Sequence, residues 1–143
     1  MKTITLIIIN LIVCCISLRS QTIPDSVKFR SLVPNEFHLQ YLKEHPAMLI
    51  DVRESFEFRG KRIKGAVNIP SSGNPGLAAD TINKECALFF YCTSGYRSTR
   101  VAKSFYDRGF RELYSLEGGL GRWKKEGMKV EKSRKAGKNN DKR

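Results

Sequence analysis

Cys86-Ala87-Leu88-Phe89-Phe90-Tyr91-Cys92-Thr93-Ser94-Gly95-Tyr96-Arg97-Ser98 is the stretch on which the fold of this chain turns. Ala87 to Tyr91 is an unbroken apolar run rich in aromatic side chains, the pattern of a strand buried on both faces. Past Cys92 the residues turn small and polar around Gly95, which marks a loop. From Ser98 to Asp107 the period changes again. Val101, Ala102, Phe105 and Tyr106 recur at three- and four-residue spacing, which predicts a helix, and Gly109 is a natural stop for it.

Outward from this unit the alternation continues. Upstream, Asn35 to Leu42 carries a helical stripe of Phe37, Tyr41 and Leu42, ended at His45-Pro46. Ala47 to Asp51 is a second short apolar strand, Glu54 to Phe58 a short helix, and Ala66 to Ile69 a strand ended by Pro70. Ser71 to Gly76 reads as loop and Ala78 to Lys84 as a helix or helical turn. Downstream, Leu113 to Leu116 is a last strand, and Gly118-Gly119 turns into a short helix with Leu120 and Trp123. Strands alternating with helices predict an α/β fold, a small parallel sheet of about five strands with helices on both faces. The 143 residues leave room for one such domain.

The two ends have a different composition. Lys2 precedes a 13-residue apolar run, Ile4 to Ile16, interrupted by Thr5 and Asn10. A membrane-spanning helix needs roughly 20 apolar residues, so the run is short for a span. It has the layout of a secretory signal peptide over residues 1–20, with cleavage expected after Ser20; an uncleaved anchor is the alternative. Val13 before Cys14 is a poor match to a lipoprotein signal, so lipidation at Cys14 or Cys15 is not favoured. Residues 21–30 then read as a linker, 31–130 as the domain and 131–143 as a basic tail. The expected location is outside the cytoplasm, periplasmic or secreted, with no stable membrane span once the leader is removed.

The formal charge is +12, and loss of Lys2 and Arg19 with the leader lowers it by two to +10. Lys124 to Arg143 holds nine of the basic residues against three acids. No basic-aromatic pattern accompanies them, so a solvated tail is expected and a nucleic-acid partner is not.

Only Cys86 and Cys92 remain after the leader. Six residues of strand separate them by about 20 Å, and a disulfide needs Cα atoms within about 7 Å. Cys92 is therefore expected as a free thiol. Its place at a strand-to-helix turn suits an anion, because free N–H groups and the helix dipole converge there, and they lower a thiol's pKa. Gly95 can take the positive φ that curls successive N–H groups towards one point. Arg97 adds a positive charge, and Ser94, Ser98 and Thr99 add donors. The plainer alternative is a buried cysteine beside an ordinary turn.

The flanking motifs weigh against that alternative. Asp51-Val52-Arg53-Glu54 with Glu57-Phe58, Gly65-Ala66-Val67-Asn68-Ile69-Pro70, Tyr91-Cys92 with Gly95, Arg97 and Ser98, Gly109-Phe110, and Leu116-Glu117-Gly118-Gly119 with Trp123 resemble, in order, the motifs of the rhodanese family of sulfurtransferases. They span about Ser31 to Val130. One departure is Arg62-Ile63, where many members have His-Ile, a position expected to support the fold.

The resemblance implies a catalytic Cys92 that carries sulfur as a persulfide within a loop of Thr93, Ser94, Gly95, Tyr96, Arg97 and Ser98. Asp51 and Arg53 are second-layer candidates, Arg53 chiefly as an ion-pair partner. The implied partners are a small anionic donor such as thiosulfate and a thiol or cyanide acceptor, with no cofactor and no metal; His38 and His45 read as ordinary surface or helix residues. Arg97 lies five positions after Cys92, whereas the related cell-cycle phosphatases carry a loop one residue longer, so the loop is sized for sulfur and not for phosphate. Two further readings stay open: a non-catalytic binding module, and a thiol-redox protein using Cys92, against which the lack of a CxxC spacing counts. Arg97, Arg100, Arg53 and Arg59 are expected to make the surroundings basic, unless several of them pair instead with Glu54, Glu57 or Asp51. The sequence names no oligomeric state.

Overall fold

Ala87–Tyr91 (β5) is the middle strand of a five-stranded, all-parallel sheet in a computed structural model that describes residues 24–132. The leader expected over 1–20 and nearly all of the basic tail lie outside the described residues. The sheet order is β1-β6-β5-β2-β4, with β1 Arg30–Leu32, β2 Ala47–Asp51, β4 Val67–Asn68 and β6 Leu113–Leu116. β5 pairs with β2 from Ala47↔Ala87 to Asp51↔Tyr91, and with β6 from Leu88↔Leu113 to Phe90↔Ser115. The predicted α/β class and parallel sheet are borne out.

Every residue of β5 is buried, and the period of two sends its side chains to two separate cores. Leu88, Phe90 and Cys92 meet Val101, Ala102 and Phe105 of α5 (Tyr96–Asp107) and Ala79 of α4 (Pro75–Thr81). Ala87, Phe89 and Tyr91 face Phe37 of α2 (Pro34–Lys43) and Leu120 and Trp123 of α6 (Gly119–Lys125). Phe89 stacks on Tyr114 of β6, with ring centroids 4.3 Å apart. Burial of a side chain of this size contributes roughly 1.5–3 kcal/mol, so the two-sided strand anchors the domain. Among the described residues no helix is long and apolar enough to cross a membrane.

Several boundaries differ from the sequence expectation. Asp25–Lys28 (α1) and the first residue of Arg30–Leu32 (β1) fall where a linker was expected. β1 is two-thirds polar and exposed, so no apolar pattern announces it; it forms by pairing alongside β6. α4 starts at Pro75 instead of Ala78, because the Asn74 side chain accepts the Gly76 N–H at 3.1 Å and Pro75 presets the first turn. α5 starts at Tyr96, two residues before the expected Ser98. The Ala66–Ile69 strand is reduced to Val67–Asn68. α3 (Ser55–Gly60) runs slightly past the expected helix. Finally, Lys61–Arg62 (β3) pairs antiparallel with Glu131–Lys132 (β7), so the first two residues assigned to the tail belong to the fold.

Candidate active site

Parallel strands deliver their C-terminal ends to one edge of the sheet, the place where open α/β folds put their chemistry. Cys92 is the residue after β5, and the loop from Cys92 to Gly95 leads straight into α5. Gly95 is the N-cap of α5 at φ +100°, a conformation that residues with a Cβ rarely adopt. That turn aims the Gly95 N–H at the Cys92 Sγ, 3.1 Å away.

The thiol is 1% exposed, and burial alone pushes its pKa up. The backbone N–H groups of Ser98, Ser94 and Gly95, with the Ser98 hydroxyl, act in the opposite direction and prevail, so the Cys92 pKa lies below the ordinary thiol value. Backbone N–H groups around one sulfur favour the thiolate for the reason they would favour any small anion at a helix start. Ser98 is itself held, fully buried, by contacts with the Gly95 carbonyl at 2.9 Å and the Ser115 hydroxyl at 3.0 Å.

The carbonyl side of the loop is fixed from below by α6. Leu120 N–H donates to Cys92 O at 2.8 Å and Gly121 N–H to Thr93 O at 3.0 Å. Gly119 lets the helix come that close: a Cβ there would stand 2.5 Å from Cys92 O and 2.6 Å from the Thr93 carbonyl carbon. The same loop therefore turns its N–H groups to the sulfur and its carbonyls to α6.

Arg97 binds Glu57 of α3 through two hydrogen bonds of 2.8 and 3.0 Å and also donates to the Thr93 hydroxyl at 2.9 Å. Thr93 in turn donates to Glu57 at 2.9 Å. Arg97 holds the Glu57 carboxylate at a pKa of about 2; burial opposes this, and the Glu54 N–H and Thr93 add to it. The Arg97 charge is stabilised first by Glu57 and, more weakly, by the Cys92 thiolate. The guanidinium expected to give the loop mouth a free positive charge is thus largely neutralised by a carboxylate from another element. Arg59 and Arg100 are exposed.

Asp51 and Arg53 form their own buried pair, 2.6 Å between Arg53 Nη2 and Asp51 Oδ2, and Arg53 also donates to the Lys61 carbonyl at 2.6 Å. That pair braces the turn after β2, in keeping with the ion-pair reading of Arg53. Tyr96 is 69% exposed and gives the loop only its backbone. Thr93 and Ser94 are exposed at the loop surface. Cys86 and Cys92 are both free thiols, as the strand geometry requires. Among the described residues no group of three or more His, Cys, Asp or Glu is placed to hold a metal ion. The sequence pattern did not assign roles to Glu57, Ser115 and Gly119. Gly118-Gly119 and Glu57 stood within recognised motifs, but Ser115 gave no signal beyond its strand.

Fold and site together define a parallel α/β domain that presents a buried cysteine to converging backbone N–H groups at a strand-to-helix turn. The family model described as Rhodanese-like domain matches residues 34–126. The uncharacterised protein YqhL of Bacillus subtilis is 38% identical over 94 residues, 66% of this chain and 71% of that protein. The thiosulfate sulfurtransferase GlpE of Coxiella burnetii is 29% identical over 85 residues, 59% of this chain and 78% of that enzyme. The crystal structure of a rhodanese-like domain protein from Staphylococcus aureus superimposes with a TM-score of 0.60 at 26% identity, covering 71% of this chain and 98% of that one. The chain belongs to the rhodanese-like domain family.

Proposed function

We propose that this protein is an exported sulfurtransferase that moves a sulfane sulfur from an anionic donor to a thiol or cyanide through a persulfide on Cys92. The observation that carries the reading is the convergence of the Ser94, Gly95 and Ser98 N–H groups on a buried sulfur with a lowered pKa. Likeness to a thiosulfate sulfurtransferase supports the same reaction class.

In the first half-reaction the Cys92 thiolate attacks the outer sulfur of thiosulfate. A new S–S bond forms to Cys92, the S–S bond of thiosulfate breaks, and sulfite departs with the electron pair. In the second, cyanide or a thiolate attacks the outer sulfur, takes it as thiocyanate or as a new persulfide, and returns Cys92 as thiolate. No proton moves in either step, so a thiolate held ionised by its site needs no histidine base. The outer persulfide sulfur is again a small anion, suited to the N–H groups that the loop presents. With Arg97 bound to Glu57, these backbone donors rather than a free guanidinium bear most of the negative charge.

Export rests on the composition of residues 1–20 and places the reaction in the periplasm or outside the cell. Incubation of the full chain with thiosulfate, followed by peptide mass spectrometry, is expected to find one added sulfur on Cys92 that cyanide removes. Absence of that sulfur with every donor tried overturns the proposal. A mixed disulfide through Cys92 with no persulfide would instead favour thiol-redox chemistry, and an unchanged biological role in Cys92→Ser would favour a binding module.

A further inference from the structure

A deep, mostly apolar recess lies away from the cysteine loop, between α2, α6 and the segment after β3. Its volume is about 500 Å³, within the range of small-molecule sites. Its floor is apolar and rigid: Phe37, Leu49, Ile63 and Trp123 line it and are themselves buried in the second core. His38 and Met128, half-buried, stand along the walls, with the His38 ring edge-on to Trp123 at 5.8 Å. The Trp123 N–H is already donated to the Lys129 carbonyl at 3.0 Å, so the indole offers the recess its apolar face.

The rim is positively charged. Lys64 and Lys129 both line the recess and are exposed, and among the described residues no carboxylate lines it. Three residues along the chain from each of them, Lys61 stands directly opposite Lys132 across the β3–β7 pair, an arrangement that like-charge repulsion disfavours. Two acids of this region are committed elsewhere, Glu131 to Arg62 at 2.7 Å and Glu126 to Arg122 at 2.7 Å, and Glu36, exposed between the lining residues Asn35 and Phe37, is not itself among the lining side chains. Two exposed lysines on the rim of an apolar recess are complementary to one kind of occupant.

We infer that this recess binds a small, free anionic amphiphile, a molecule with one carboxylate or sulfonate and an apolar body, whose body sits on Trp123, Phe37 and Leu49 while its acid meets Lys64 and Lys129. Such binding is separate from sulfur transfer and does not depend on Cys92.

Trp123 is the single tryptophan of the chain, so intrinsic fluorescence reports on this recess alone. The full chain is titrated with monomeric decanoate, with decanol and with decyltrimethylammonium. Decanoate is expected to change the Trp123 emission saturably and to bind at least about tenfold tighter than the neutral or cationic analogue. The Lys64→Gln, Lys129→Gln double variant, both positions being exposed, is expected to fold and to weaken decanoate by about tenfold. No saturable change, equal affinity for the cationic analogue, or full affinity in the double variant overturns the inference. So does binding to anionic phospholipid vesicles with none to monomeric decanoate, since the lysines would then be serving a membrane surface.

Discussion

Cys86 and Cys92 flank the same strand, both are buried, and their environments drive them in opposite directions. Cys86, just before β5, has a raised pKa through burial, and its nearest polar contact is a carbonyl, Ala87 O at 3.7 Å. Cys92, just after β5, is buried more deeply yet has a lowered pKa, because backbone N–H groups of Ser98, Ser94 and Gly95 oppose the effect of burial. The difference lies not in depth but in backbone polarity. The C-terminal end of a parallel strand runs into the N-terminus of the next helix, where N–H groups are unspent. The other end of the strand has no such supply. The same residue type is thereby an inert packing thiol at one end and a candidate nucleophile at the other.

The sharpest test of this contrast is paired substitution. Cys92→Ser is expected to lower thiosulfate-to-cyanide transfer by at least about a thousandfold, whereas Cys86→Ser is expected to keep the rate within a few-fold; equal losses in both would break the comparison. Titration of the ultraviolet thiolate absorbance comes next. The signal lost in Cys92→Ser is expected to have its midpoint below that of an ordinary thiol, and that lost in Cys86→Ser above it.

A third test removes the loop's support. Gly119→Ala places a methyl group against Cys92 O and the Thr93 carbonyl and is expected to cost about 1–3 kcal/mol of stability. Transfer is expected to fall roughly ten- to a hundredfold as the donors lose their aim, with the Cys92 titration midpoint moving up. A variant that loses stability but keeps the midpoint would show that α6 supports the fold and not the sulfur.

Glu57→Gln frees Arg97 and is expected to change transfer by roughly three- to tenfold. The Glu57 pKa is lowered, so its contribution is complete above the ordinary carboxylate value of 4.5 and is lost as pH falls through about 2. Denaturation midpoints of wild type and Glu57→Gln are therefore expected to differ at pH 6 and to converge on approach to pH 2. The smallest effect is expected of Ser115→Ala, about 0.5–1.5 kcal/mol in urea unfolding, since it removes one hydroxyl contact behind Ser98.

The sequence made the centre of the molecule legible and its margins not. β5 and the Cys92 loop stand out because composition changes abruptly, from five apolar residues to small polar ones within three positions. The impossibility of a Cys86–Cys92 bridge followed from strand length alone. Arg30-Ser31-Leu32, in contrast, carries almost no apolar signal and becomes a strand only because β6 offers it a ladder. β3 and β7 are two residues each, too short for any periodicity. Which acid meets Arg97 was open for another reason: Glu57 lies 40 positions upstream, and the fold alone brings the two together. Pairing of these arginines with Glu54, Glu57 or Asp51 stood beside a basic loop mouth as an alternative, and for Arg97 the contact with Glu57 selects it.

The brevity of the outer strands has a consequence of its own. β1 is three residues long and β4 two, so the sheet leaves little unpaired backbone at either border on which a second chain can add. Lys61 and Lys132 guard the separate β3–β7 ribbon with like charges. A domain with an aromatic-rich central strand is thus screened from edge-to-edge aggregation, and encounters with other molecules are directed to the ends of its strands, where Cys92 is.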